Sequence, residues 1–221
     1  MIPPAANAAF VYHMEDVLAV YTRPLDLQRP LVCLDEISKQ LIGEVRPSLP
    51  PRPGDMARVD CEYVRNGVAN IFAVCEPLLG SRAFTVTDRR TKVDWAQLIK
   101  ELVDVRHPNA ETIVLVMDQL NTHHPASLYE AFAPAEAKRL ADKLEIHHTP
   151  KHGSWLNIAE IELSILSRQC LDRHLPDVLT LTQEVHAHQQ RRDALGRTVN
   201  WRFTADDARI KLKRLYPSID P

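Results

Sequence analysis

Two aspartates that follow apolar segments are the side chains in this sequence with the clearest potential for chemistry. Asp35 follows the apolar segment 30–34, and Asp118 follows the largely β-branched segment 112–117. Such segments are typical of strands buried on both faces of a sheet, and ligands of α/β folds bind at the carboxyl edge of that sheet. Asp118 taken alone has a second interpretation, in which it only caps the turn that follows.

The repetition of this pattern favours a shared site. Carboxylates that converge at a sheet edge repel one another unless a cation lies between them. Hard oxygen ligands of this kind suit Mg²⁺ or Mn²⁺. We therefore expect Asp35 and Asp118 to meet on adjacent strands and to bind a metal ion.

A third carboxylate is expected from the predicted helix 158–171, which carries both Glu160 and Glu162. These positions differ by about 200° around a helix axis, so they cannot share a face. Glu160 lies in line with two serines, which leave room for a metal and a phosphate, whereas Glu162 lies on an apolar side. We favour Glu160 as the ligand. A capping role for Glu160 stays open, because Asn157 and Glu160 fit an N-cap and its N3 partner.

Hydrophobic periodicity predicts an α/β chain with a mixed sheet flanked by helices. The strand that ends at Asp35 is expected to lie beside the strand 112–117. An Asn66-Gly67 pair predicts a hairpin turn. In chain order, the other predicted elements are a helix at 5–22, short β segments at 61–63, 69–75 and 83–87, a helix at 93–105, a helix at 125–144 broken near Pro134, a strand at 145–149, and helices at 158–171, 179–195 and 204–215.

Composition indicates a soluble globular protein. The 221 residues are 45% hydrophobic and 25% charged, which is ordinary for this class. No apolar stretch approaches the roughly 20 residues of a membrane span, and the N-terminus lacks the features of a signal peptide. We therefore expect a cytoplasmic protein. The four cysteines are expected to be buried reduced thiols, at Cys33, Cys61, Cys75 and Cys170.

Charge is unevenly distributed along the chain. The net charge is -2, but residues 189–216 contain eight basic residues and three acidic ones. A basic terminal segment is a candidate contact for a phosphate backbone. A solvated helix face explains the same pattern, and the sequence alone does not choose between them.

The three acids together resemble the catalytic set of the DDE transposases, in the bacterial insertion-sequence branch of the Tc/mariner superfamily. His123 follows the second acid at +5, and Asn157 precedes Glu160 by three positions, as in that family. The loop 150–152 leads into this last motif, and the resemblance extends over nearly the whole chain from about Tyr12. It implies an RNase H-like fold, with a mixed five-stranded sheet flanked by helices.

The resemblance also implies the chemistry. Asp35, Asp118 and Glu160 would bind two Mg²⁺ (or Mn²⁺) ions, which would serve phosphodiester cleavage and strand transfer at insertion-sequence ends. The partners would be double-stranded DNA, as transposon ends and target, and a second subunit in a homodimer, in the bacterial cytoplasm at the nucleoid. Residues expected to support the metal site or contact DNA are His123, Asn157, Lys151 and His152. A buried structural role for His123 and a solvated loop at 150–152 stay open.

Three departures from the family pattern affect this interpretation. Gln119 replaces the Asn usually found beside the second acid, and the 42 positions between Asp118 and Glu160 exceed the mariner spacing. Only about 30 residues precede the first strand, where the family carries helix-turn-helix modules. We therefore expect the catalytic portion alone, from a split gene, a truncated copy or a relic. The expected parts are an N-terminal helix and linker at 1–28, a catalytic domain at 29–196 and a basic helical segment at 197–221.

A proline-rich segment at 38–58 interrupts the predicted catalytic domain. In the family the matching insertion acts as a clamp that reaches across a dimer. The resemblance therefore implies that this segment projects and packs on a partner subunit through apolar residues such as Leu41, Val45 and Met56. Alternatively, it folds back over the edge of its own sheet.

Two other functions are compatible with parts of the sequence. The histidines at 123–124, 147–148 and 152 suggest a zinc hydrolase, but adjacent strand residues such as His147 and His148 point to opposite faces, and no zinc-binding spacing occurs. The second alternative is a catalytically silent DNA-binding or dimerising fragment that modulates a full-length transposase.

Overall fold

A single mixed sheet of five strands forms the centre of the part of the chain that the structure, a computed structural model, describes, namely residues 5–46, 52–56 and 62–218. The strand order is β3-β2-β1-β4-β5. The strands are β1 (Leu31–Glu44), β2 (Tyr63–Glu76), β3 (Ser81–Thr87), β4 (Ile113–Met117) and β5 (Leu144–His148). The first three strands are antiparallel, whereas β1, β4 and β5 run parallel. This arrangement confirms the predicted fold class and the adjacency of β1 and β4.

Helices cover both faces of this sheet. They are α1 (Ala8–Tyr21), α2 (Lys92–Glu101), α3 (Ala126–Ala131), α4 (Pro134–Asp142), α5 (Ile158–Leu166), α6 (Val178–Ala194) and α7 (Ala205–Lys211). Two of them, α2 and α5, continue into π-helical turns at Leu102–Arg106 and Ser167–Leu171. The predicted break near Pro134 is confirmed, because α3 ends at Ala131 and proline opens α4.

The core divides according to the alternation of β1. Val32 and Leu34 point toward α2, α3 and α4, where Trp95 is fully buried. Leu31 and Cys33 point to the other face, where they pack with α1, α5 and the C-terminal segment. Burial on both faces explains why the first strand reads as a continuous apolar segment.

The sequence predicted that the first strand ends at Asp35, and this prediction is wrong. β1 continues to Glu44, and its second half pairs with the first half of β2. The predicted Asn66-Gly67 hairpin is also wrong, because this pair lies inside β2 beside a shift of register between Gln40 and Ile42. Gly67 has a φ of 105°, so glycine supplies a bulge here and not a turn. The polar segment after Asp35 stays extended because β2 satisfies its backbone hydrogen bonds.

Part of the segment 38–58 packs on its own chain. Leu41, which was expected to contact a partner, is 3% exposed and lies in the core beside α5 and α6. The Ile42 N–H donates to the Leu175 carbonyl at 2.8 Å. Val45 and Met56 are 47% and 87% exposed. Contact of this segment with a partner stays a prediction, and residues 47–51 and 57–61 lie outside the described residues.

The two ends of the described chain lie together. α1 shares its core cluster with Ala208 and Leu215 of the C-terminal segment. Thr204 caps α7 and forms a capping box with Asp207. The division into three parts at residues 28 and 196 stays a prediction.

Two expectations from composition can be compared with the described residues. Cys33, Cys75 and Cys170 are free and buried, as expected, whereas Cys61 lies outside those residues. Among the described helices, none is both long and apolar enough to cross a bilayer.

Candidate active site

Strand register brings the two aspartates together. Cys33 of β1 pairs with Val116 of β4 in the parallel ladder. Two residues further along, Asp35 lies beside Asp118, the first residue after β4, on the same face of the sheet. Glu160, in the first turn of α5, lines the same cavity of about 590 Å³ as both aspartates.

Asn157 fixes the start of α5 against β1. Its side-chain oxygen accepts the Ala159 N–H at 3.1 Å and so caps the helix. Its side-chain nitrogen donates to the Leu34 carbonyl at 3.0 Å and to Asp35 Oδ2 at 3.2 Å. Asn157 is 1% exposed, so one buried amide joins the helix that carries Glu160 to the strand that carries Asp35. This contact agrees with the expectation that Asn157 supports the site.

Asp35 has no cationic partner in the described structure. The Glu36 N–H donates to Asp35 Oδ1 at 2.8 Å, and Asn157 approaches the other oxygen. Burial, and then repulsion from Asp118, Glu36 and Glu160, raise the pKa of Asp35 to about 7, although the hydrogen bond from Glu36 opposes this rise. Asp35 therefore lies in an excess of negative charge that a cation would relieve.

Asp118 has the opposite environment. His123 Nδ1 lies 2.6 Å from Asp118 Oδ1, and the Leu120 N–H donates to the same oxygen at 3.1 Å. Burial alone would raise the pKa of Asp118, but the hydrogen bond and charge of His123 hold it below its ordinary value. Asp118 is thus kept as an ionised carboxylate.

His123 itself is almost inaccessible to solvent. Its side chain is 1% exposed, and its second nitrogen, Nε2, faces Glu36 Oε2 at 3.1 Å. Burial lowers the pKa of His123, but Asp118 and Glu36 outweigh this effect and raise it to about 9. The ring also stacks on Trp95, with 6.2 Å between centroids. His123 therefore contacts carboxylates inside the protein and not a surface phosphate.

Glu160 and Glu162 separate as the helix periodicity predicted. Glu160 Oε2 is buried and has no hydrogen-bond partner among the described residues. Glu162 lies away from the cavity and is bound by Arg192 at 2.9 and 3.1 Å and by Arg82 at 3.3 Å. The cap of α5 comes from Asn157 alone, without the reciprocal bond from Glu160 that a capping box requires.

The donor set fits a hard divalent cation. Three carboxylates line one cavity, one of them has a raised pKa, and another has a buried oxygen without a partner. Within the described ranges, however, no three His, Cys, Asp or Glu side chains are already drawn together around a common centre at metal-binding distance. The carboxylates would therefore have to close around a bound ion.

The loop before α5 reaches the same cavity. Lys151 and His152 both line it, and His152 has a φ of 67°. A Cβ atom on Gly153 would lie 2.4 Å from Pro150 Cγ, so this tight turn requires glycine. Gln119 also lines the cavity, and its side-chain nitrogen lies 3.4 Å from the Thr149 carbonyl.

The histidines of the zinc alternative do not form a metal site. His123, His124 and His148 line one cavity, but no three metal-binding side chains of the described residues lie close enough together to hold an ion. His147 binds Asp16 at 2.8 Å and Glu145 at 3.0 Å. His148 Nδ1 donates to the Asp118 carbonyl at 3.1 Å, on the opposite side of the strand. The structure thus gives no support to a zinc hydrolase.

Glu36 is the residue at this site that sequence reasoning missed. It lines the cavity and binds His123, but it lies on the face of β1 opposite Asp35. Its signal was an acid directly after a candidate ligand, at the end of an apolar segment. Strand alternation turns Glu36 away from Asp35, so the signal does not point to a shared site.

Comparison with known proteins agrees with this geometry. The sequence profile described as DDE superfamily endonuclease matches residues 30–182, which contain all three acids. No curated protein matches the chain in sequence.

Similar solved structures are complexes of the Mos1 transposase. The paired-end complex with the left transposon end is 12% identical, with a TM-score of 0.53, over 90% of this chain and 66% of that chain. The strand transfer complex is 11% identical, with a TM-score of 0.53, over 90% and 65%. The paired-end complex with Mg is 13% identical, with a TM-score of 0.51, over 90% and 66%.

This chain therefore spans slightly less than two thirds of the Mos1 protein. At such low identity the likeness shows the fold, which is RNase H-like as expected. Together with the profile match over residues 30–182, it places the sequence in a family. The chain belongs to the DDE superfamily of endonucleases.

Proposed function

We propose that this chain is the catalytic domain of a DNA transposase, which cleaves and joins phosphodiesters at the ends of an insertion sequence. The observation that carries the proposal is the convergence of Asp35, Asp118 and Glu160 on one cavity, inside the region that matches the endonuclease family. A DDE centre needs no covalent enzyme intermediate, so these carboxylates are the chemical groups that the reaction requires of the protein.

We further propose that these acids bind Mg²⁺ or Mn²⁺, as two ions. Mos1 complexes have been solved with Mn and with Mg. When bound, two such ions would activate a water or a DNA 3′-hydroxyl and stabilise the leaving oxygen. The residues of this chain would orient the carboxylates: His123 holds Asp118 ionised, and Asn157 holds Asp35 against α5.

Double-stranded DNA is the proposed substrate. Lys151 and His152 line the cavity and are proposed to contact the phosphate backbone. In the C-terminal segment, Arg209 is bound to Glu15 at 2.8 and 2.9 Å, and Lys211 lies 3.1 Å from Asp207. Because Arg209 and Lys211 have these internal partners, the proposed phosphate contacts of this segment are its other exposed basic residues, Arg197, Arg202, Lys213 and Arg214.

A homodimer is also proposed. Its contact surface would be the exposed part of the paired strands β1 and β2, where β1 ends and β2 begins. Tyr63, Val64 and Val68 of β2 are each about half exposed, and so is Val45, which follows β1. We also propose that the chain belongs to a bacterial insertion sequence and acts at the nucleoid.

Nicking of supercoiled plasmid DNA tests the proposed activity. With Mg²⁺ or Mn²⁺, the protein should nick weakly and with little sequence preference. Asp35→Asn, Asp118→Asn and Glu160→Gln should each reduce nicking about 1,000-fold or more, since all three acids hold the reacting centre. Asp142→Asn, at an exposed acid on α4, is the control and should retain activity.

Two results would contradict the proposal. Nicking that survives loss of any of the three acids would assign the cleavage to another site or a contaminant. A wild-type protein that binds DNA but never cleaves it would favour the silent, modulating fragment.

A further inference from the structure

Glu36 is a buried acid on the side of β1 opposite Asp35. Its side chain is 3% exposed, and its Oε2 atom lies 3.1 Å from His123 Nε2. This contact is an ion pair and not an aligned hydrogen bond, because neither atom has a hydrogen-bond partner of good geometry. Arg90 approaches the other oxygen only at 3.7 Å and is half exposed. The main charge facing Glu36 is therefore that of His123.

The two nitrogens of His123 both face carboxylates. Nδ1 lies 2.6 Å from Asp118 Oδ1, and Nε2 faces Glu36. The ring is therefore held from both of its nitrogens, and the stacked Trp95 ring fixes its plane.

This arrangement also fixes Asp118. His123 and the Leu120 N–H both bind Oδ1, which leaves Oδ2 as the oxygen that neither of them engages. Through its backbone, Glu36 also donates to Asp35 Oδ1 at 2.8 Å. One residue thus acts on both aspartates, on Asp35 directly and on Asp118 through the histidine.

We propose that Glu36 is a positioning residue of the metal site, which holds the His123 ring against Asp118 Oδ1 so that Asp118 presents its other oxygen to a divalent ion. The inference rests on the proposed function, because it assumes that Asp118 binds a metal. Loss of the Glu36 carboxylate would leave the buried ring with one partner in place of two, so the ring would be free to turn. Asp118 would then be held less firmly.

Metal binding tests this role without DNA cleavage. Titration calorimetry with Mn²⁺ should show that Glu36→Gln raises the Kd about 10-fold, the usual effect of losing a group that orients a ligand. Glu36→Asp keeps the charge and should restore part of the affinity. If Glu36→Gln does not fold, Glu36→Asp still tests the proposal, since the shorter side chain should give a smaller rise in Kd.

Glu76 provides a matched control. It is a buried acid of the same sheet that faces a histidine, His107, at 3.5 Å, and it does not line the cavity. Glu76→Gln should lower thermal stability as much as Glu36→Gln does, but should leave the Kd for Mn²⁺ unchanged.

A double-mutant cycle shows whether Glu36 acts through His123. In a His123→Gln background, Glu36→Gln should change the Kd less than twofold, because the histidine that transmits its effect is gone. An equal 10-fold loss in both backgrounds would overturn the proposal and make Glu36 a direct ligand. An unchanged Kd for Glu36→Gln alone would reduce Glu36 to a structural ion pair.

The proposed function fails in a different way. If Asp35→Asn and Glu160→Gln leave the Kd for Mn²⁺ unchanged, or the wild-type protein binds no Mn²⁺, the metal site itself is wrong and the inference falls with it. If those variants lose Mn²⁺ and Glu36→Gln does not, only the role of Glu36 is wrong.

Discussion

Asp35 and Asp118 lie beside each other on neighbouring strands, yet their surroundings are opposite. Asp118 is paired with a buried cation, His123, which keeps its pKa low. Asp35 receives only uncharged N–H donors and faces other carboxylates, so its pKa rises to about 7. The shared position comes from the register of the sheet, whereas the charge state comes from the loop after β4 and from α5.

This difference assigns separate tasks to the two halves of the site. The Asp118 half carries its own counter-ion, His123, in the metal-free protein. The Asp35 half, with Glu160, lacks positive charge and depends on an external cation for neutrality. Substitutions that abolish activity equally should therefore have opposite effects on the stability of the metal-free protein.

Among the three acids of the site, the largest loss of stability is expected at Asp118. Asp118→Asn should lower the free energy of unfolding by about 2 kcal/mol, because it leaves the buried His123 with one carboxylate partner in place of two; the loss is smaller than for a fully buried pair because the Asp118 side chain is 41% exposed. Urea denaturation at pH 7 with a chelator present measures this change. His123→Gln in the same background should lessen the loss, since the unpaired charge disappears. An unchanged urea midpoint for Asp118→Asn would show that the pairing does not stabilise the fold.

Asp35→Asn should instead stabilise the metal-free protein. Since the folded-state pKa of Asp35 is raised to about 7, its stability contribution is present below the unfolded pKa of about 4 and is lost as the pH rises through 7. Asparagine cannot ionise and avoids this loss. The gain from Asp35→Asn should be about 2 kcal/mol larger at pH 8 than at pH 5.

Thermal or urea denaturation at both pH values, with EDTA present, checks this second prediction. Asp142→Asn, at an exposed acid, is the control and should show no such pH dependence. A gain from Asp35→Asn that is equal at pH 5 and pH 8 would mean that Asp35 is already ionised in the metal-free site.

Much of the site was predictable because its determinants are local. The apolar segments before Asp35 and Asp118 define parallel strands, and parallel strands place their ends at one edge. The choice of Glu160 over Glu162 followed from helical periodicity alone, and the structure separates the two residues accordingly. Asn157 was assigned to the site through the family resemblance, and its bond to Asp35 was not foreseen.

The remaining features depend on distant partners. The segment after Asp35 is polar and was taken as a loop, but pairing with β2 extends the strand to Glu44. The charge of His123, which lies in the loop after β4, depends on Glu36 of β1, which is 87 positions away in sequence. No local pattern reports such a pair, so the sequence predicted where the acids lie but not which of them is ionised.

Among the three acids of the site, the smallest effect on stability is expected at Glu160. Glu162 lies on the same helix and allows a direct comparison of an unpaired acid with a paired one. Glu160 Oε2 has no hydrogen-bond partner in the described structure, so Glu160→Gln removes repulsion with Asp35 and no favourable contact. The free energy of unfolding should rise by about 0.5 kcal/mol or less. Glu162→Gln is the matched variant, and it should lower stability by about 3 kcal/mol because it removes the acid that pairs with the buried Arg192 and one of the two acids that face the buried Arg82. Urea denaturation of both variants measures the contrast, and equal losses would show that Glu160 also has a stabilising partner in the metal-free protein.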